Sequence, residues 1–284
     1  NGNMDEVAVF NSELSASDVT SIYNGGVPND ISSLSPVSWW RCGDGDTAPT
    51  LTDNGSGGNN GTMTNFSTFS TDVPVELFSR KSIQLDGVDD FVSLSTITLS
   101  AEFSISAWIK PTVLGSNTST IINTGTNNSN RIGIYNATNL QFKLGGSNVF
   151  LTESGGNNFV TNVWQHVLIV RDSSNNISAW RNGAAFGSSV SNSNTATLDS
   201  IFRFNNSVYS SGHLDEFAIW NSDQSANVAT IYNGGTPNDI SSLSPINWWR
   251  CGDGDTAPTL TDNGSGGNNG TMTNFSTFST DVPT

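Results

Sequence analysis

The densest run of oxygen-bearing side chains in the 284-residue chain is Asp53-Asn54-Gly55-Ser56-Gly57-Gly58-Asn59-Asn60-Gly61. Calcium takes roughly six to eight oxygens from carboxylates, amides and backbone carbonyls, and glycines let carbonyls turn inward. The same composition suits an Asn/Gly-rich hairpin loop that holds no ion and simply needs residues tolerant of positive φ. Both readings stand. Asp86-Gly87-Val88-Asp89-Asp90 and the Asp44/Asp46 pair of CGDGD are smaller acidic groups, read as turns with solvated carboxylates.

Catalytic patterns are missing. The stretch between the two CGDGD motifs offers Glu76, Glu102, Glu153 and Glu216, and no two of them share a predicted strand. No Gly-x-Ser-x-Gly elbow occurs, and two histidines far apart make no triad. His166 sits in the alternating run VWQHVLIV and reads as a strand histidine with a local partner. A saccharide platform would use an exposed aromatic beside amides, and Tyr135, Trp180 and Tyr209 are the candidates. Trp39, Trp40, Trp108, Trp164 and Trp220 read as core or sheet-face residues.

Composition narrows the partners. Charged residues make up 12% of the chain and the net charge is −15. With no Lys/Arg cluster, nucleic acid is excluded as a partner. No apolar run is long enough to insert in a membrane. The opening NGNMDEVAVF lacks the basic start and apolar core of a signal peptide. Cys42 and Cys251 occupy the same place in a repeated segment, so each stretch has a single cysteine: a buried free thiol, or a partner for a disulfide between chains.

The repeat organises everything else. Pro28–Pro74 recurs as Pro237–Pro283, and over 47 aligned positions only Val37/Ile246 and Ser38/Asn247 differ. Upstream, MDEVAVFNS (Met4–Ser12) faces LDEFAIWNS (Leu214–Ser222). A period near 210 residues means that each unit is a whole domain.

The elements that must position these residues are strands. EFSISAWIK alternates as a half-buried strand ended by Pro111, and RIGIY and LQFKL alternate likewise. Ile83–Leu85 and Phe91–Leu94 bracket the turn at Asp86–Asp90, while Val163–Arg171 and Ile177–Arg181 flank a hairpin loop at Asp172–Asn176. The helical signal is Ser15–Asn24, with Ser15 as N-cap and Asp18 three residues on, and its copy is Ser225–Asn233. Many short strands with Gly/Asn/Ser turns predict an all-β fold, an antiparallel two-sheet jelly-roll sandwich with one short C-terminal helix.

The ordered motifs SWWRCGDGD (38–46), TDNGSGGNNGTM (52–63), IQLDGVDDFVSL (83–94), FSISAWIKP (103–111), VWQHVLIVRD (163–172), AWRNG (179–183) and HLDEFAIWN (213–221) carry a resemblance. The repeat resembles the laminin G-like jelly-roll domains of the concanavalin A-like lectin/glucanase superfamily. On its YNGG–SWWR–DGD–DNGSGGNNGTM wording it also resembles domains strung in tandem in marine phage surface and tail proteins. The resemblance implies a complete domain over 35–235, with 1–34 closing a preceding copy and 236–284 opening a following one. It implies closure of the sandwich by residues 38–75, although the identical segment 241–284 could serve instead, within the chain or in a neighbour.

In such jelly rolls the acidic loop holds calcium together with an acidic residue of the closing strand. That implies a Ca2+ site of Asp53, Asn54, Ser56, Asn59, Asp215 and Glu216. The superfamily's glucanases carry an alternating Glu-x-Asp-x-(x)-Glu strand, whose absence here implies no enzyme. The resulting expectation is a non-catalytic repeat unit of an extracellular or virion-surface fibre or decoration protein, with neighbouring copies of itself as partners. The alternative is a calcium-dependent carbohydrate-binding adhesin whose partners are surface glycans.

Overall fold

The computed structural model describes residues 2–24, 28–65, 68–70, 79–115, 120–124, 129–205 and 207–284. The chain forms two compact units, Asn1–Glu76 and Leu77–Thr284. The end of the segment 38–75 falls outside the described residues.

In the first unit, β1 (Val7–Val9) pairs antiparallel with β2 (Ser38–Trp40), and β3 (Thr50–Leu51) with β4 (Gly61–Thr62). Between β1 and β2 lies α1 (Ala16–Tyr23). Ser15 caps it with a full capping box to Asp18, and Asn24 ends it in the left-handed region, as the sequence pattern requires.

The second unit is the sandwich. Its first strands are β5 (Ser82–Asp86), β6 (Phe91–Leu99), β7 (Phe103–Pro111), β8 (Thr120–Asn123), β9 (Arg131–Asn136), β10 (Asn139–Leu144) and β11 (Ser147–Thr152). There follow β12 (Gln165–Arg171), β13 (Asn176–Arg181), β14 (Ala184–Ala185), β15 (Val190–Ser191), β16 (Ala196–Ile201), β17 (Arg203–Phe204), β18 (Val208–Tyr209) and β19 (Ser211–Trp220). After the short helix α2 (Val228–Tyr232) come β20 (Asn247–Trp249), β21 (Thr259–Leu260), β22 (Gly270–Thr273) and β23 (Phe278–Ser279). One sheet runs β11-β10-β9-β8-β16-β6-β22-β21. The other runs β14-β13-β12-β7-β19-β5-β23, with β15 added on β13 and β20 on β19.

Alternation explains the layers. Phe103, Ile105, Ala107 and Ile109 of β7 point into the core between the sheets, with Ile122, Ile132, Phe142 and Leu198 from the facing sheet. The expected half-buried β7 is in fact buried along almost its whole length. Its second face lies in a sheet whose outer surface carries another apolar cluster: Leu168, Val170, Ala218 and Trp220 beneath Ile231, Ile240 and Trp248. The α2 region thus roofs the strand.

Closure differs from expectation. Among the described residues of the second unit, it is the C-terminal segment that closes the sandwich. β20 pairs with β19, β22 with β6 and β23 with β5. Trp249, Cys251, Leu260 and Met272 enter the core, and Trp249 stacks on Phe217 with ring centroids 5.5 Å apart. The second compact unit runs over 77–284 and includes the segment expected to open a following copy. The physical reason is that β19 presents Phe217, Ala218 and Ile219 as an edge, and the chain, after passing through α2, returns with Asn247–Trp249 to pair with it.

Candidate functional site

Asp215 and Glu216, expected as calcium ligands, form a buried clamp for the closing segment. Between Asp215 and Ala218 the pairing of β19 with β7 slips, and Glu216 takes φ 45°. This bulge turns the Glu216 carboxylate onto the Trp248 indole N–H at 2.6 Å and the Arg250 Nε at 3.2 Å. Asp215 accepts from the Ser79 hydroxyl and from the Glu216 N–H. Burial pushes Glu216 up to about 7, with the Arg250 charge pulling the other way. Burial, then the Glu216 charge, also raises Asp215 well above the usual carboxylate range.

The Asn/Gly-rich loop is organised by its own aspartate. The Asp53 carboxylate accepts from the N–H groups of Trp39, Gly55 and Asn59 at 2.7–2.8 Å. Burial raises its pKa, but these donors and the Ser38 hydroxyl outweigh it and bring it to about 2. In the second copy, Asp262 Oδ1 accepts from Trp248 N and Gly264 N, and Oδ2 from Asn268 N and Asn247 Nδ2. Two carboxylate oxygens offer about four lone-pair sites, and N–H donors occupy them. Asn54 donates to the Trp39 and Thr52 carbonyls, Ser56 to the Pro36 carbonyl, and Asn59 to the Ser38 hydroxyl. This donor set does not fit a calcium ion. It is an anion-centred loop, zipped onto the strand beside it.

The second copy of that loop forms one wall of a recess. In the second unit a cleft of about 310 Å3 lies between Gly266–Asn268 and Ser95–Thr98 of β6, completed by Asn221, Ile246 and Asn247. Asn268 fixes the wall by a reciprocal pair: Ser95 N donates to its Oδ1 and its Nδ2 donates to the Ser95 carbonyl, both at 2.9 Å. The cleft carries hydroxyls, amides and backbone, two isoleucines and no charged side chain. Sequence reasoning missed it because β6 and the loop lie far apart in the chain, with Ser95 and Asn268 standing 173 residues apart.

The other expected residues are scattered. Tyr135 packs edge-on to Phe150 at 5.0 Å, Tyr209 lies 6.2 Å from Phe91, and Trp180 packs against the apolar cluster under α2. They do not make one platform. Asp86, Asp89 and Asp90 do converge, with carboxylate oxygens within 4.8 Å, at the turn between β5 and β6. There Asp86 N donates to Asp90 and Val88 N to Asp86, as in an ordinary acidic turn. His166 has the local partner expected of it: its Nε2 shares a hydrogen bond with the Ser106 hydroxyl at 2.8 Å. Burial alone lowers its pKa to about 3, which makes it a poor general base at neutral pH. No carboxylate is hydrogen-bonded to its Nδ1 among the described residues.

These features define a two-sheet jelly roll with a polar, uncharged cleft. The chain belongs to the concanavalin A-like lectin/glucanases superfamily, whose laminin G family model matches residues 86–229, just over half of its length. No curated protein matches it. Among solved structures, a candidate carbohydrate-binding protein from Bacteroides ovatus is similar over 100% of this chain and 95% of its own, at 16% identity and a TM-score of 0.54. A pentraxin from Limulus polyphemus covers 54% of this chain and 80% of its own, at 16% identity and TM-score 0.39. The sialyllactose-bound CBM40 of a Ruminococcus gnavus sialidase covers 53% and 96%, at 12% identity and TM-score 0.40. At these identities the likeness is one of fold. No helix among the described residues is long and apolar enough to cross a membrane.

Proposed function

We propose that this chain is a non-catalytic, carbohydrate-binding link of a tandem jelly-roll array displayed outside a cell or on a virion. The observation that carries this reading is the cleft beside β6. Its walls are amides, hydroxyls and backbone groups with no charged side chain, which is the chemistry that reads sugar hydroxyls by hydrogen bonds. The fold relative from Bacteroides ovatus, itself described as a candidate carbohydrate binder, supports the same class. The 47-position duplicate supports the array, in which weak single sites add avidity along the fibre. Calcium dependence is not part of the proposal, because the acidic loop is satisfied by its own N–H donors.

The test is calorimetric titration of the purified chain with neutral oligosaccharides, beside the variant Thr98→Trp. Thr98 is exposed on β6 and lines the cleft, so an indole there fills the recess without entering the core. Binding by the wild type and its loss in the variant, at unchanged melting temperature, is the expected outcome. Binding that survives the indole would move the site elsewhere, and a wild type that binds no saccharide would overturn the reading.

A further inference from the structure

The two copies of the 47-position segment differ at only two places, and both differences fall in the cleft. Five positions of the second copy line it: Ile246, Asn247, Gly266, Gly267 and Asn268. The substituted positions are the first two of these; every residue of the turns, linker and core strands in the segment is otherwise the same. We infer that residues 246 and 247 set which neutral saccharide the cleft accepts, so that successive links of the array bind different sugars with one scaffold. This inference rests on the carbohydrate reading of the cleft.

The local chemistry shows how the exchange acts. In the first copy Ser38 is a short hydroxyl that accepts from Asn59 Nδ2 at 2.9 Å. In the second copy Asn247 reaches Asp262 Oδ2 through its Nδ2 at 2.7 Å. The residue is 5% exposed and lines the cleft beside Gly266 and Asn268. An amide carbonyl and a second amide hydrogen thus stand where the other copy has one hydroxyl. Asn268, the counterpart of Asn59, is tied to Ser95 instead.

The strand also sits directly under the loop. A Cβ on Gly266 would lie 2.6 Å from Asn247 Nδ2 and 2.7 Å from the Ile246 carbonyl. A change at 246 or 247 therefore alters the floor of the cleft and the seat of its wall together. The added methylene of Ile246 over Val37 narrows the apolar part of the same floor.

The experiment titrates wild type and the double variant I246V/N247S with a panel of neutral disaccharides ending in glucose, galactose, mannose or N-acetylglucosamine. The double variant carries the residues of the first copy, a combination the scaffold already uses. The expected result is an unchanged melting temperature and a changed order of preference. At least one ratio of affinities should move roughly three- to tenfold, the range for one neutral hydrogen bond gained or lost. Asn247→Gln, which keeps the amide but displaces it, should shift the same ratio and serves if the double variant folds poorly. Unchanged ratios in both variants, with binding still abolished by Thr98→Trp, would overturn the inference and leave the carbohydrate reading standing. No binding by the wild type would overturn both.

Discussion

The same motif occurs twice in this molecule, once inside a sandwich and once in a small unit of two-stranded pairs, and the two can be compared residue by residue. Glu6 and Glu216 both take a positive φ, 50° and 45°, and both accept from a tryptophan indole, at 2.5 and 2.6 Å. Arg41 and Arg250 lie at 3.1 and 3.2 Å from those carboxylates. Asp53 and Asp262 gather the same three backbone N–H groups. What differs is burial. The Glu6 side chain is 17% exposed and that of Glu216 is 5%; for the arginines the values are 38% and 23%. Cys42 is half-buried and Cys251 fully buried. The hydrogen-bonded loop is thus a local device that closes on itself, and the sheets contribute the dry surroundings.

The largest test of that contrast is truncation after Gly235, where the sequence motifs place the end of a domain. The sandwich should lose its cooperative unfolding transition, because Trp249, Leu260 and Met272 leave the core and β5, β6 and β19 lose partners. Burial of each such side chain is worth about 2–3 kcal/mol, against a whole-domain stability of about 5–15 kcal/mol. A truncated chain that still melts cooperatively would mean that residues 28–74 can take the place of 237–283.

Thiol chemistry should separate the copies next. Burial raises the pKa of both thiols, of Cys251 well above its ordinary value, and each Sγ faces a tryptophan carbonyl at 3.5 Å. Labelling by a small disulfide reagent at pH 8 should be roughly a hundredfold faster at Cys42, since Cys251 must wait for the sandwich to open. Equal rates would mean that the closing segment detaches readily. The carboxylate clamps come third. Glu216→Ala removes the carboxylate that the Trp248 indole and the Arg250 Nε both reach, and should cost about 3 kcal/mol in urea unfolding. Glu6→Ala, at a wetter site, should cost less than about 1 kcal/mol.

How much of this was legible follows from where the information sits. The period-2 runs at Phe103–Pro111, Arg131–Asn136 and Asn139–Leu144 identify strands because a half of each must face the core, and the Ser15/Asp18 box identifies α1 because its partners are three residues apart. Closure was not legible. Two nearly identical segments have equal local propensity, and only tertiary pairing with β5, β6 and β19 distinguishes them. The loop at Asp53 looks oxygen-rich in sequence, but its carboxylate faces backbone donors that composition does not reveal. The cleft depends on Ser95 meeting Asn268 across the fold, and Trp180 reads as exposed until the cluster under α2 is seen to cover it.

The last expected effect concerns pH, and its sign separates the buried Glu216 carboxyl from the buried histidines. Glu216 is raised in the folded chain from its ordinary 4.5 to about 7, through burial, with the nearby Asp253 charge adding to it against Arg250. A raised folded pKa means that the native state holds the proton more tightly. Its contribution to stability is therefore fully present below pH 4.5 and is lost as pH rises through about 7. His166 and His213 work in the opposite direction. Burial lowers both from an ordinary 6.5, so their contributions are lost as pH falls below that value. The total curve of the wild type blends the two trends, and the difference between wild type and Glu216→Gln isolates the carboxylate. Glutamine keeps an acceptor for the Trp248 indole but does not titrate. The variant should therefore gain on the wild type by a few degrees of melting temperature, a size set by stability changes of about 1–2 kcal/mol, as pH rises from 4.5 to 7.5. If the difference stayed flat across that range, Glu216 would be ionised at no cost, and the dry surroundings that distinguish the second copy from the first would not govern its chemistry.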